Sequence, residues 1–168
     1  MTRLLPALVF AAAGCSAAMP YRSPVPAPVE GAFEKADEVT LYSLDPDSAY
    51  GRVPEGAAKD AEVFHKSVVL GKTAVTSAAV RTSLFDAFRA GVNDHDGSVA
   101  ACFIPRHGLR VRTGDKTVDL VICFECAQVA VYENGKAVGQ NVLISRSPRG
   151  AFNKALKDAG VPLAKGSE

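Results

Sequence analysis

The stretch that most constrains the fold runs from Cys102 to Ile144, because it carries two short-range hairpin signals inside one alternating apolar pattern. Gly114-Asp115 reads as a two-residue loop with glycine first, as a type II′ turn prefers. Thr113 then faces Lys116, Val111 faces Val118 and Leu109 faces Leu120. Arg110 falls opposite Asp119, so apolar pairs share one face and an ion pair takes the other, as a true register requires. Asn134-Gly135 marks a second loop that sets Val131 against Val138 and returns the chain through Asn141 to Ile144. Between the loops the apolar phase shifts, with Val118, Leu120, Ile122 and Phe124 even-numbered and Val129 and Val131 odd. One residue must be absorbed, which predicts a bulge or sharp bend within 123–128.

Upstream, Val39 to Leu44 is β-branched and aromatic-rich and stops at Asp45-Pro46-Asp47, a turn in which proline presets φ and aspartate caps locally. Residues 47–61 read as a surface loop with a helical turn at Glu55 to Asp60. Val63 to Leu70 reads as a second strand broken at Gly71. From Ser77 to Gly91 the period becomes 3.6. Val80, Leu84, Phe88 and Val92 recur every four residues, Phe85 widens the stripe, and Arg81, Asp86 and Arg89 take the other side. Thr76 or Ser77 caps this helix and Gly91 ends it. Ser147-Pro148 starts a shorter helix with Phe152, Leu156 and Ala159 inward and Gly160 as its stop. The expected fold is α+β: a single antiparallel meander sheet of about five or six strands, with two helices packed on one face. The globular domain spans 38–163, and 164–168 is a frayed tail.

The chain has 168 residues, 48% apolar and 22% charged, enough for one core. Its 19 Lys and Arg balance 18 Asp and Glu, so no field draws nucleic acid electrostatically. The N-terminus addresses the chain elsewhere. Arg3 precedes the apolar run Leu4 to Ala13, too short to span a bilayer as a mature helix, so residues 1–14 read as a signal peptide. Residues 15–37, with Pro-x-Pro-x-Pro at 24–28, favour extended polyproline II and read as a semi-rigid tether.

Three cysteines and a histidine follow the pattern C-x4-H-x15-C-x2-C, at Cys102, His107, Cys123 and Cys126. Three sulfurs and an imidazole suit a tetrahedral zinc site. Exported thiols also oxidise, and the hairpin register sets Cys102 level with Ala127, next to Cys126, so a bridge from Cys102 to Cys126 or Cys123 is open. A Cys123–Cys126 bridge needs the expected bend, because the two would otherwise point to opposite faces. Buried thiols and a redox-active Cys-x-x-Cys remain as further readings. His107 is also the candidate base of a small hydrolase, although no Gly-x-Ser-x-Gly, His-Glu-x-x-His or phosphate loop is present. His65 and His95 stand outside any motif and read as surface or satisfied residues. Asn93 to Ser98 resembles the opening of a calcium loop, but Ile104 stands where the bidentate glutamate belongs, and it reads as a polar turn.

Ala12-Ala13-Gly14-Cys15 resembles the lipobox of bacterial lipoproteins, with Ala12 where leucine is commoner. The resemblance implies a diacylglycerol thioether and an acylated amine on Cys15, and hence a lipid-anchored protein of the cell envelope. Ser16 after that cysteine implies the outer membrane in an organism that has one. Several acyl chains anchor stably where one would be marginal. The Cys-Phe-x-Pro-Arg-His segment at 102–107 and the Cys-Phe-x-Cys segment at 123–126 are similar to those of an uncharacterised family of bacterial exported proteins. That likeness implies a shared fold and no mechanism. The sequence thus describes a membrane-tethered binding or structural protein, with the bilayer and an envelope protein as expected partners. A metal-binding or thiol-redox module is the rival reading.

Overall fold

The structure, a computed structural model, describes residues 24–52, 58 and 60–167. Cys15, the leader and most of the turn expected at 55–60 lie outside the described residues. Within them the fold is α+β, with a curled antiparallel sheet of eight strands rather than five or six. The strands are β1 (Glu38–Leu44), β2 (Val63–Phe64), β3 (Ser67–Ala74), β4 (His107–Thr113), β5 (Lys116–Cys123), β6 (Gln128–Glu133), β7 (Lys136–Ala137) and β8 (Val142–Leu143). Their order is β2-β3-β1-β4-β5-β6-β7, with β8 pairing the other end of β6. Only β4 to β7 form a meander. β1 is inserted between β3 and β4, so the chain must cross the sheet between those two strands.

The helix α2 (Ala78–Asn93) makes that crossing. Ser77 caps it by accepting the Val80 N–H, and Leu84, Phe85, Phe88 and Val92 are buried, while Val80 is left exposed. Gly91 does not end the helix. A Cβ there would stand 2.3 Å from Pro148 Cγ, so glycine is what lets α2 approach the start of α3 (Arg149–Asp158). Phe152 and Leu156 of α3 enter the core as expected, and Ala159 is exposed.

A third helix, α1 (Ala27–Glu34), lies within the stretch 15–37 expected as a tether, whose residues 15–23 fall outside the described residues. Pro28 sits in its first turn, where a missing N–H costs nothing. Phe33 stacks on Phe85 at 4.0 Å and meets Phe88 edge-on at 5.6 Å, and Glu30 pairs with Arg89. The C-terminal tail is also packed: Ala164 and Ser167 are buried, and the Ser167 carbonyl accepts from Asn153 Nδ2.

The strand period divides the sheet into two faces. Val39 and Leu41 of β1, Leu109 and Val111 of β4, Val118, Leu120 and Ile122 of β5 and Val129 and Val131 of β6 form the main core under the helices. Tyr42, Leu44, Phe64 and Val121 form a smaller cluster on the opposite face. The β4–β5 register is the expected one throughout, from Thr113 opposite Lys116 to Leu109 opposite Leu120. The phase shift before β6 is a chain reversal: Phe124 to Ala127 turn the chain so that Cys123 pairs Gln128. Residues 63–74 make a hairpin, with no break at Gly71.

Candidate functional site

Among the described residues the helices leave one sheet face uncovered, and a polar concavity of about 550 Å³ opens there. Its floor is Asp119 on β5, 2% exposed. Arg110 on β4 donates from Nε to Oδ1 and from Nη2 to Oδ2, each at 2.7 Å, the cross-strand pair that the register requires. His65 Nε2 lies 2.6 Å from Oδ2. Burial pushes the Asp119 carboxyl up, but hydrogen bonds from Arg110 and His65 and their charges outweigh it, so it sits below the usual carboxylate range. Asp119 is therefore ionised at neutral pH, and His65 Nε2 carries the hydrogen it shares.

The turn that delivers His65 is unusual. His65 and Lys66 both adopt positive φ, 45° and 73°, between β2 and β3, where a two-residue hairpin normally takes asparagine and glycine. L-residues in this region cost roughly 1 kcal/mol each. The turn is held by Asp119 and by Tyr132 of β6, whose ring stacks on His65 with centroids 3.8 Å apart. Phe64 anchors the hairpin over Gly108, where a Cβ would stand 2.7 Å from its ring, and stacks on Tyr42 at 4.3 Å. Arg110 also lies over the Phe64 ring, 5.2 Å from the centroid. Glu38, Thr40, Arg112 and Thr117 complete the rim, so two arginines face two carboxylates. Sequence reading found the Arg110–Asp119 pair but not His65, which arrives from 54 residues away on a turn with no glycine or asparagine signal.

The cysteines lie at the end of β5. Cys123 and Cys126 are joined by a disulfide across the 124–127 turn, and both are buried. Cys102 is a free, exposed thiol whose Sγ stands 3.9 Å from Cys126 Sγ. The turn thus supplies the bend that a local Cys-x-x-Cys bridge demands.

His107 does not join them. It is 2% exposed on the helical face of β4, its Nε2 is 2.8 Å from Asn153 Oδ1 of α3, and its ring lies against Phe124 and Phe152. Burial lowers its pKa to about 4, the Asn153 hydrogen bond opposing this and the Arg106 and Arg149 charges adding to it. His107, the histidine considered as a hydrolytic base, is thus enclosed between β4, α3 and the 124–127 turn. The Cys3His zinc set is likewise not assembled, since two of its sulfurs are bonded to each other and its imidazole faces Asn153. Among the described residues no group of three or more His, Cys, Asp or Glu side chains is placed to hold a metal. His95 is tied into its own polar turn, with Nδ1 accepting from the Gly97 N–H and Nε2 3.0 Å from the Ser98 carbonyl.

No family model, curated protein or solved structure matches this chain.

Proposed function

We propose that the chain is a lipid-tethered protein of the bacterial cell envelope that works by binding, through its uncovered sheet face, a polar ligand of no net charge. One observation carries the binding reading. Asp119 is a buried, ionised carboxylate at the floor of an open concavity, held by Arg110 and by a histidine on a strained turn. A buried ion pair is weak as a stabilising device, and strained backbone collects where function over-determines it. The equal count of arginines and carboxylates on the rim favours recognition by hydrogen bonds from Thr40, Thr117 and Arg112 over attraction of an ion.

The anchor rests on the leader and Cys15, with Ser16 favouring the outer membrane of a diderm organism. Among the described residues no helix is long and apolar enough to cross a membrane. The binding reading does not require catalysis or a cofactor.

Two measurements test the two halves. The full chain and its Cys15→Ala variant are expressed in a bacterial host and fractionated, and the N-terminal peptide is weighed. Membrane association with a diacylglycerol mass on Cys15, lost in the variant, is expected; cleavage elsewhere with an unmodified cysteine would sink the anchor. For the face, the isotope-labelled mature chain is titrated with a neutral N-acetylated disaccharide, N,N′-diacetylchitobiose, and with a terminally blocked, uncharged tetrapeptide. Amide shifts centred on Thr40, His65 and Thr117 are expected with one of them. Shifts confined to other surfaces, or none with either probe, would remove the face from consideration.

A further inference from the structure

We propose that Cys102, Cys123 and Cys126 form an internal thiol–disulfide exchange site, independent of the binding face. Cys102 is exposed, and its Sγ lies 3.9 Å from the buried Cys126 Sγ. This approach is built by the segment that carries it. The Ala100 N–H donates to the Cys126 carbonyl at 3.2 Å, Gln128 Nε2 donates to the Ala100 carbonyl at 2.8 Å, and the Ile104 N–H donates to Cys126 Sγ at 3.3 Å. Residues 100–104 are therefore strapped along the 124–127 turn, with the free thiol set beside one specific sulfur. Such fixed placement turns an encounter into an intramolecular step.

The step balances within the chain. Cys102, as its thiolate, attacks Cys126 Sγ; the Cys102–Cys126 bond forms as the Cys123–Cys126 bond breaks. The departing electron pair rests on Cys123 Sγ, toward which the Cys126 N–H already points at 3.1 Å. A backbone N–H aimed at the leaving sulfur stabilises a thiolate there. Cys123 then takes up the proton that Cys102 gave up, and nothing is oxidised or reduced overall.

The two isomers differ in what they show to solvent. With Cys123–Cys126 bonded, the free thiol is the exposed Cys102, open to exchange with the disulfide of another exported protein or a small disulfide. With Cys102–Cys126 bonded, the free thiol is Cys123, 1% exposed, and the strap is covalently fixed to the turn. The site thus presents or withdraws a reactive thiol without any external redox partner.

The test uses the full mature chain carrying Cys15→Ser, so that three cysteines remain. The folded protein is held without reductant at mildly alkaline pH, quenched in acid, alkylated under denaturing conditions and mapped by mass spectrometry. Alkyl label on both Cys102 and Cys123, with both disulfide-linked peptides and a ratio that stops changing with time, is expected. Cys123→Ser should close the Cys102–Cys126 bridge on air oxidation. Label on Cys102 alone in the three-cysteine chain overturns the proposal, as does a folded Cys123→Ser variant that keeps two alkylatable thiols. Should that variant fail to fold, the mapping of the three-cysteine chain decides alone.

Discussion

His107 gives stability a pH dependence that can be worked from its surroundings. The imidazole is 2% exposed, and its Nδ1 has no hydrogen-bond partner among the described residues, so a second ring proton would be buried without an acceptor. Burial is the main reason its pKa falls from 6.5 to about 4. The unfolded chain therefore takes up this proton near pH 6.5 and the folded chain only near pH 4. Between those limits the unfolded state binds more protons, so stability falls as pH falls. The loss is negligible above about pH 7.5, reaches ~2 kcal/mol at about pH 5 and levels off at ~3 kcal/mol below about pH 4. Asp119, held below the usual carboxylate range, gives up its own contribution only at lower pH. Urea unfolding of the wild type and His107→Gln, followed by circular dichroism at several pH values, isolates the effect. The variant has no imidazole here to titrate, so its curve removes the contribution of every other group. The stability advantage of the wild type should shrink by ~2 kcal/mol between about pH 7.5 and about pH 5, a midpoint change of roughly 1 M urea. Parallel profiles would refute a buried, neutral imidazole at this position.

Phe33→Ala removes the ring that joins α1 to Phe85 and Phe88 and should cost ~3 to 5 kcal/mol in thermal or urea unfolding. A melt indistinguishable from wild type would mean that residues 27–34 do not pack as α1. Asp119→Asn keeps the shape but leaves Arg110 and His65 facing a neutral amide; because Arg110 is 38% exposed, a loss of only ~1 to 2 kcal/mol is expected at neutral pH. Unchanged stability together with unchanged His65 ring signals by nuclear magnetic resonance would show that the triad does not form.

Much of the sheet was legible because its signals are local. Gly114 and the pair Asn134-Gly135 have positive φ in the structure, as their turn chemistry demands, and the alternation on either side then has one consistent register. The α2 stripe and its Ser77 cap were equally readable. The 3.6 period needs nothing beyond a few turns of chain. Other features deceived for physical reasons. Pro-x-Pro-x-Pro looks extended, yet Pro28 fits the first turn of α1, and Val29, Ala32 and Phe33 gain burial only when the aromatic residues of α2 arrive. Gly91 reads as a helix stop, yet its missing side chain admits Pro148 from 57 residues away. His65-Lys66 carries no turn signal, and its strain is supported by partners on β5 and β6.

The sequence alone determined the α+β class, the β4–β5–β6 core with its Arg110–Asp119 cross-strand pair, and the neutral charge balance, because each follows from near neighbours or from composition. Which cysteines bond, which face stays open and which histidine meets a carboxylate were decided by the tertiary structure. The spacing C-x4-H-x15-C-x2-C allowed several pairings, and only the shape of the 124–127 turn and the line of residues 100–104 put Cys123 on Cys126 with Cys102 beside them. The same holds for His107, which packs against Asn153 and Phe152, and for His65, which meets Asp119. Where a ring ends up depends on which distant surface closes over it, and that is a property of the packed fold rather than of any stretch of chain.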